Sequence, residues 1–138
     1  MNSVSFHSEQ THFNLSNSNE KQVAQWLDDV CSKEFKQLTE LSIVFCSDDY
    51  LLKINQDFLQ HDYYTDVVTF DYCIGDNISG DVFISVDRIK ENAEVHNVSF
   101  EEELFRIIIH GTLHLIGYKD KSDVAQQQLP SKEDYYLS

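Results

Sequence analysis

Apolar residues recur along the chain with two different periods, and each period predicts a different kind of element. Spacings of three and four residues place side chains on one face of a helix, whereas alternating or β-branched runs are typical of strands. The helical pattern covers residues 20–35, 50–60, 87–95 and 100–116. The strand pattern covers 41–46, 66–72 and 80–86, with one or two further short strands predicted within residues 1–15. A last, weakly patterned helix is predicted over 122–136, where Pro130 is expected to interrupt or divide it.

Polar residues at the segment ends support these boundaries and suggest how the elements join. Asp87 is expected to cap the helix that follows it, and Ser99 with Glu102 forms a capping box before the longest helix. The Gly-Asp-Asn turn at 75–77 predicts a hairpin between the strands on either side. Helices and strands mix without strict alternation. We therefore predict one domain over residues 1–138 of the α+β class, an α/β sandwich with a small mixed four-stranded sheet flanked by about five helices.

Composition agrees with a single packed domain and limits where the protein acts. Hydrophobic residues make up 41% of the chain, which has one Pro and four Gly. No apolar run approaches the roughly 20 residues of a membrane span, and the first residues lack the basic and apolar segments of a signal peptide. Cys31, Cys46 and Cys73 form no CxxC pair. These features predict a cytoplasmic protein with reduced thiols and no membrane contact.

The charge balance bears directly on nucleic acid as a partner. The formal net charge is −14, from 24 acidic and 10 basic residues. Proteins that bind RNA normally present a basic surface, because contacts to phosphates release counterions. A role on RNA therefore requires a local basic patch, or a partner or metal ion that supplies positive charge.

The strongest candidate chemistry lies on the predicted helix 100–116. At about 100° per residue, Glu103, Arg106, His110 and His114 share one narrow stripe of a helix that is otherwise mostly apolar. Two imidazoles one turn apart on the same face are suited to bind a single metal ion. The alternative is a pair of core histidines satisfied by hydrogen bonds.

A third ligand follows the helix. Gly117 lets the chain turn, and Asp120 is placed to return as a ligand beside His110 and His114. Three nitrogen and oxygen ligands leave a tetrahedral ion one open position for water or a phosphate oxygen, as catalytic sites do. We predict one Zn²⁺ per chain at this site, with other divalent metals as alternatives.

The same spacing occurs in zinc proteases, so the helix is predicted to be a zincin-like metal helix. In the metzincin proteases a Glu directly after the first histidine acts as general base. Gly111 occupies that position here. Peptidase chemistry is therefore disfavoured, and the group that moves protons is left open.

Three sequence blocks together resemble one known family. HGTLHLIGYKDK at 110–121, NQDFLQHDYYTDVVTF at 55–70 and GDVFIS at 80–85 are similar to the motifs of the YbeY family of bacterial rRNA maturation endoribonucleases. The resemblance implies a cytoplasmic, metal-dependent endoribonuclease specific for single-stranded RNA. It also implies a role at the 3′ end of small-subunit rRNA and in ribosome quality control, with rRNA and the ribosomal small subunit as partners.

The chain departs from the family pattern at two positions. Asp120 stands where the family has a third histidine, and a carboxylate is also a competent zinc ligand. Leu59 stands where the family commonly has an arginine that would hold a phosphate or stabilise developing charge. The second departure favours an alternative function, a ribosome-assembly binding factor with a structural metal and weak or no nuclease activity.

Other side chains are candidates for substrate contacts. Arg106, Lys119 and Lys121 are predicted to bind phosphates, with a helix-face ion pair to Glu102 or Glu103 as the alternative for Arg106. Ordinary solvated lysine is the alternative for the other two. His61 and Ser85 are further, weaker candidates.

Overall fold

The structure is a computed structural model that describes residues 3–59, 65–118 and 123–137. Its strands are β1 (Val4–Glu9), β2 (Gln37–Cys46), β3 (Val67–Asp71) and β4 (Asn77–Ser85). Its helices are α1 (Asn17–Lys33), α2 (Asp48–Ile54), α3 (Val86–His96), α4 (Phe100–Ile116) and α5 (Asp123–Leu137), with a π-helical turn at Asn55–Leu59 after α2.

The strands form one mixed sheet in the order β1-β2-β4-β3. Strand β2 lies parallel to both β1 and β4, while β3 and β4 form the predicted antiparallel hairpin, in which Thr69 pairs with Val82. The predicted α+β class and small mixed four-stranded sheet are confirmed. None of the helices in the described ranges is both long and apolar enough to cross a membrane.

Serine side chains cap four of the helices. The hydroxyls of Ser16, Ser47, Ser85 and Ser99 each accept a hydrogen bond from the backbone N–H three residues later. The prediction that Asp87 caps its helix is wrong, because α3 begins one residue earlier with Ser85 as its cap. Asp87 instead accepts a hydrogen bond of 2.8 Å from the backbone N–H of Asp48.

Two segments differ from their predicted extent. Strand β2 begins at Gln37 rather than at the predicted residue 41. The sequence pattern does not show its first half, because a register shift between Leu38 and Glu40 breaks the alternation of buried and exposed residues there. Helix α5 continues through Pro130 instead of dividing there. Proline removes one backbone donor from a helix, but side-chain contacts of α5 beyond Pro130 attach that part of the helix to α1 and α4.

Helix α4 packs on β3 and β4 and, among the described residues, contributes more buried hydrophobic side chains than any other helix. Leu104, Ile108, Ile109 and Leu113 are fully buried. Gly111 lies directly against β4, since a Cβ atom at this position would stand 2.9 Å from Val82 Cγ1. The absence of a side chain at Gly111 thus sets the depth at which the helix, and its stripe of polar residues, lies on the sheet.

Candidate functional site

The two histidines of α4 are both held through Nδ1. The Nδ1–H of His110 donates a hydrogen bond of 2.7 Å to Glu133 Oε2 on α5. His114 Nδ1 lies 3.2 Å from the hydroxyl oxygen of Thr69 on β3. The partners come from two different elements, α5 and β3. Each ring therefore has a fixed orientation, set by the packing of α5 and β3 against the helix.

Glu133 links His110 to Arg106. The Glu133 side chain is 8% exposed. Its Oε1 accepts a hydrogen bond of 3.2 Å from Arg106 Nη1, while its Oε2 accepts the hydrogen bond from His110. Arg106 Nη2 also donates to Asp134 Oδ1 at 2.8 Å. Burial lowers the pKa of the Arg106 guanidinium, but the hydrogen bonds to Asp134 and Glu133 outweigh it and raise that pKa overall. The ion pair of Arg106 thus crosses to α5 and does not involve Glu102 or Glu103.

The polar stripe continues toward the start of α4. Glu103 is 4% exposed and accepts a hydrogen bond of 2.9 Å from His96 Nδ1 at the end of α3. Asp66, just before β3, lies near this stripe. Burial raises the pKa of the Asp66 carboxyl, although nearby His110 opposes the shift. Two buried acids of this region, Glu103 and Glu133, therefore pair with imidazole or guanidinium groups, while the half-buried Asp66 accepts a hydrogen bond from the Asn92 amide.

Ser85 has a different environment from the one expected of a substrate contact. Its side chain is fully buried, and its hydroxyl donates to Asp48 Oδ1 at 2.9 Å while accepting the N–H of Arg88. Arg88 Nε lies 3.1 Å from the same Asp48 oxygen. Ser85 therefore joins the starts of α2 and α3, and it has no exposed surface to offer a substrate.

Several predicted site residues lie outside the described residues, namely Asp120, Lys119, Lys121 and His61. The backbone of Leu59 ends the π-helical turn, but its side chain also lies outside them. Within the described part of the chain, no three His, Cys, Asp or Glu side chains are placed to hold a metal ion. The predicted set of His110, His114 and Asp120 stays a prediction, because its third member is not among these residues.

Sequence reasoning missed Glu133 and Thr69, the two groups that orient the histidines. One signal was present for Glu133, since Leu129, Glu133 and Tyr136 follow helical spacing. An acid that shares a helix face with large apolar residues usually has a buried partner. Thr69 carried no such signal, because threonine is common in strands.

Fold and site together define a small α+β protein in which a buried helix presents a pair of hydrogen-bonded histidines beside a mixed sheet. A family profile described as Endoribonuclease YbeY matches residues 5–138. The chain belongs to the YbeY family.

Curated relatives and a solved structure agree with this assignment. The chain is 50% identical to Endoribonuclease YbeY of Flavobacterium johnsoniae over 125 residues, which are 91% of this chain and 88% of that protein. It is 44% identical to Endoribonuclease YbeY of Cytophaga hutchinsonii over 136 residues, with 98% and 94% covered. The solution structure of TM1509 from Thermotoga maritima matches with a TM-score of 0.66 at 26% identity, covering 96% of this chain and 86% of that one.

Proposed function

We propose that this chain is a metal-dependent endoribonuclease that cleaves single-stranded RNA. Its substrate is rRNA of the ribosomal small subunit, where it matures the 3′ end and takes part in ribosome quality control in the cytoplasm. The names of its relatives support the endoribonuclease activity. The observation that carries the proposal is the pair of histidines on α4, each oriented through Nδ1 by a group from another element.

The residues present fit a zinc ion. Histidine ligands of zinc usually hydrogen-bond through their other ring nitrogen to a carboxylate, carbonyl or water, which fixes the ring and its tautomer. His110 has this arrangement with Glu133, and Thr69 holds His114 in a related way. The ion would be held by His110, His114 and Asp120, and when bound it supplies Lewis acidity toward a phosphoryl oxygen.

The chain's own residues prepare the site. Glu133 and Thr69 fix the two imidazoles, and Gly111 lets α4 come close enough to the sheet for His114 to reach Thr69. Gly117 ends α4 with a φ of 133°, a conformation that favours glycine, and Asp120 follows it three residues later in the sequence. In the proposal Lys119, Lys121 and His61 contact the RNA, while Arg106 holds Glu133 in place.

The first experiment compares His114→Ala with His12→Ala, a matched change at an exposed histidine outside the site. Purified wild-type and His12→Ala proteins should each contain about one zinc per chain, and His114→Ala should contain none. In a strain lacking its own homologue, wild type and His12→Ala should restore rRNA processing, whereas His114→Ala should not. Normal processing by a folded His114→Ala variant would contradict the proposal.

A second candidate function is a ribosome-assembly binding factor with a structural metal. Leu59 in place of the family's usual arginine and the net charge of −14 favour it. The same variant separates the two functions. If His114→Ala loses its helical circular dichroism together with zinc, the metal is structural; if it keeps its fold and loses processing, the metal serves catalysis.

A further inference from the structure

A buried carboxylate at the far end of α1 collects hydrogen bonds from both segments that flank the candidate site. Glu34 follows α1 directly, and its side chain is 9% exposed. Tyr118, just after α4, donates its hydroxyl to Glu34 Oε1 at 2.5 Å. Lys132 Nζ donates to Oε2 at 3.1 Å, and the Tyr136 hydroxyl donates to the same oxygen. Three donors from two separate segments thus meet on one side chain.

The charge state of Glu34 makes these bonds strong. Burial alone would raise the pKa of the carboxyl, but the hydrogen bonds from Tyr118, Tyr136 and Lys132 outweigh burial and lower that pKa. Glu34 is therefore ionised at neutral pH, and hydrogen bonds to an ionised acceptor are about twice as strong as neutral ones. Lys132 Nζ also lies 5.8 Å from the centroid of the Tyr118 ring, which joins the two segments to each other.

The position of these donors on α5 connects Glu34 to His110. Lys132 and Tyr136 are four residues apart on one helix face, and Glu133 lies between them in the chain. The carboxylate of Glu133 reaches α4, where it bonds His110 and Arg106. Because a helix turn is stiff, the contacts that hold Lys132 and Tyr136 also fix where Glu133 can place its carboxylate.

A further contact also attaches the last part of α5 to the rest of the fold. Pro130 removes a backbone donor inside the helix. Besides the bonds to Glu34, the indole N–H of Trp26 on α1 donates to the carbonyl of Tyr136 at 3.2 Å. The last part of α5 thus contacts α1 through Tyr136 and α4 through Glu133.

We propose that Glu34 is a positioning residue for the candidate metal site, which it serves by anchoring α5 so that Glu133 holds His110 in the orientation for binding zinc. This inference rests on the proposed function, in which His110 is a zinc ligand. It assigns a role in metal affinity to the residue that directly follows α1, outside the three sequence blocks of the family.

The main test measures zinc affinity of the full-length protein by competition with a chromophoric chelator. Glu34→Gln keeps the shape of the side chain and removes its charge. We expect it to weaken zinc binding about tenfold, the lower end of what loss of an outer-shell partner costs. Tyr136→Phe removes one donor without placing a new group in the core, and it should shift affinity in the same direction by less. It serves as the second variant if Glu34→Gln does not fold.

A matched control separates positioning from general stability. Val4→Ala creates a small cavity under β1, at the opposite edge of the sheet from β3. It should lower the melting temperature and leave zinc affinity unchanged. Two results would overturn the inference. One is that Val4→Ala weakens zinc binding as much as Glu34→Gln does when the two variants lose the same melting temperature. The other is that Glu34→Gln binds zinc with wild-type affinity.

A double-mutant cycle tests the route through Glu133. If Glu34 acts by placing Glu133, then Glu34→Gln combined with Glu133→Gln should bind zinc no more weakly than Glu133→Gln alone. Additive losses would overturn this route. In the metal-free protein, ring nitrogen resonances of His110 should report exchange between tautomers in Glu34→Gln and one tautomer in wild type; one tautomer in both would contradict the inference.

The outcomes also separate this inference from the proposed function. If wild type binds no zinc, the proposed function and the role of Glu34 in metal affinity both fail. If wild type binds zinc, His114→Ala loses it and Glu34→Gln retains full affinity, only the role of Glu34 fails.

Discussion

Glu133 on α5 accepts a hydrogen bond of 2.7 Å from Nδ1 of His110 on α4, and so a residue near the end of the chain fixes the first histidine of the candidate site. The Glu133 side chain is buried at 8% exposure, while the His110 side chain keeps 29% of its surface exposed. An imidazole bonded to a carboxylate through one nitrogen is a better metal ligand through the other. The weakly patterned C-terminal helix is therefore part of the site.

Replacing Glu133 by Gln should weaken zinc binding by about 10–100-fold with little change in the fold. The amide keeps the size of the side chain but cannot act as a charged acceptor for His110 and Arg106. Asp134→Asn is the control, because Asp134 is 69% exposed and bonds only Arg106 among the described side chains. Chelator competition measures both variants, and equal zinc affinities for the two would show that Glu133 does not orient His110.

Gly111→Ala should destabilise the protein by about 1–3 kcal/mol, the usual cost of overpacking a core. The new methyl group would stand 2.9 Å from Val82 Cγ1, so α4 must move away from β4. Urea unfolding of the metal-free protein gives the change in the free energy of unfolding. The double variant Gly111→Ala/Val82→Ala provides room for the methyl group. It should lose less stability than the sum of the single changes, whereas simple additivity would argue against a clash at this contact.

Phe35→Gly should stabilise the protein by about 0.5–1 kcal/mol, although it removes an aromatic side chain. Phe35 follows α1 with a φ of 61°, and the N–H of Lys36 reaches back to the carbonyl of Cys31. Glycine is the usual residue in this type of helix end. The ring of Phe35 is 89% exposed and loses little packing when removed.

Asn97→Gly is the comparison for Phe35→Gly. Asn97 ends α3 with a φ of 56°, but asparagine tolerates this conformation better than phenylalanine does. Its replacement should therefore change the free energy of unfolding by less. A loss of stability in Phe35→Gly would mean that the ring makes contacts worth more than the backbone strain.

Cys31 and Cys46 should resist alkylation in the folded protein even in mildly alkaline solution. Burial raises the pKa of each thiol to about 12, with nearby acids adding to the shift, so the reactive thiolate is scarce. Labelling with iodoacetamide should stay slow at both residues from about pH 7 to about pH 9. Cys73, which is only partly buried, is the internal reference. Mass spectrometry should find all three labelled after unfolding, and equal native rates at Cys31 and Cys73 would contradict the burial.

The parts of the fold that follow a single period were predictable from sequence. Helix α4 shows an unbroken helical pattern with a capping box, and its predicted bounds match Phe100–Ile116. The β3–β4 hairpin carries a clear turn signal between two strand patterns. In these segments local preference and tertiary packing favour the same structure.

The parts that depend on tertiary contact were not predictable in the same way. The first half of β2 contains an irregularity at Leu38 and Glu40 that hides the strand period. Helix α5 has little amphipathic pattern because its inner face is polar where Glu133 bonds His110 and Arg106. The spacing of residues in α4 predicts that His110 and Arg106 share one face of the helix. It does not predict that α5 covers this face, because that depends on how the helices pack.

The histidine pair of α4 is proposed to serve RNA cleavage, and cleavage by purified protein tests this role most directly. The measurement is the rate at which zinc-loaded protein cuts a single-stranded RNA carrying the 3′ end of small-subunit rRNA. Wild type and His12→Ala should cut the RNA at equal rates, and folded His114→Ala should show no cutting above background. Cleavage by His114→Ala at the wild-type rate would contradict the claim, as would the absence of cleavage by the zinc-loaded wild type.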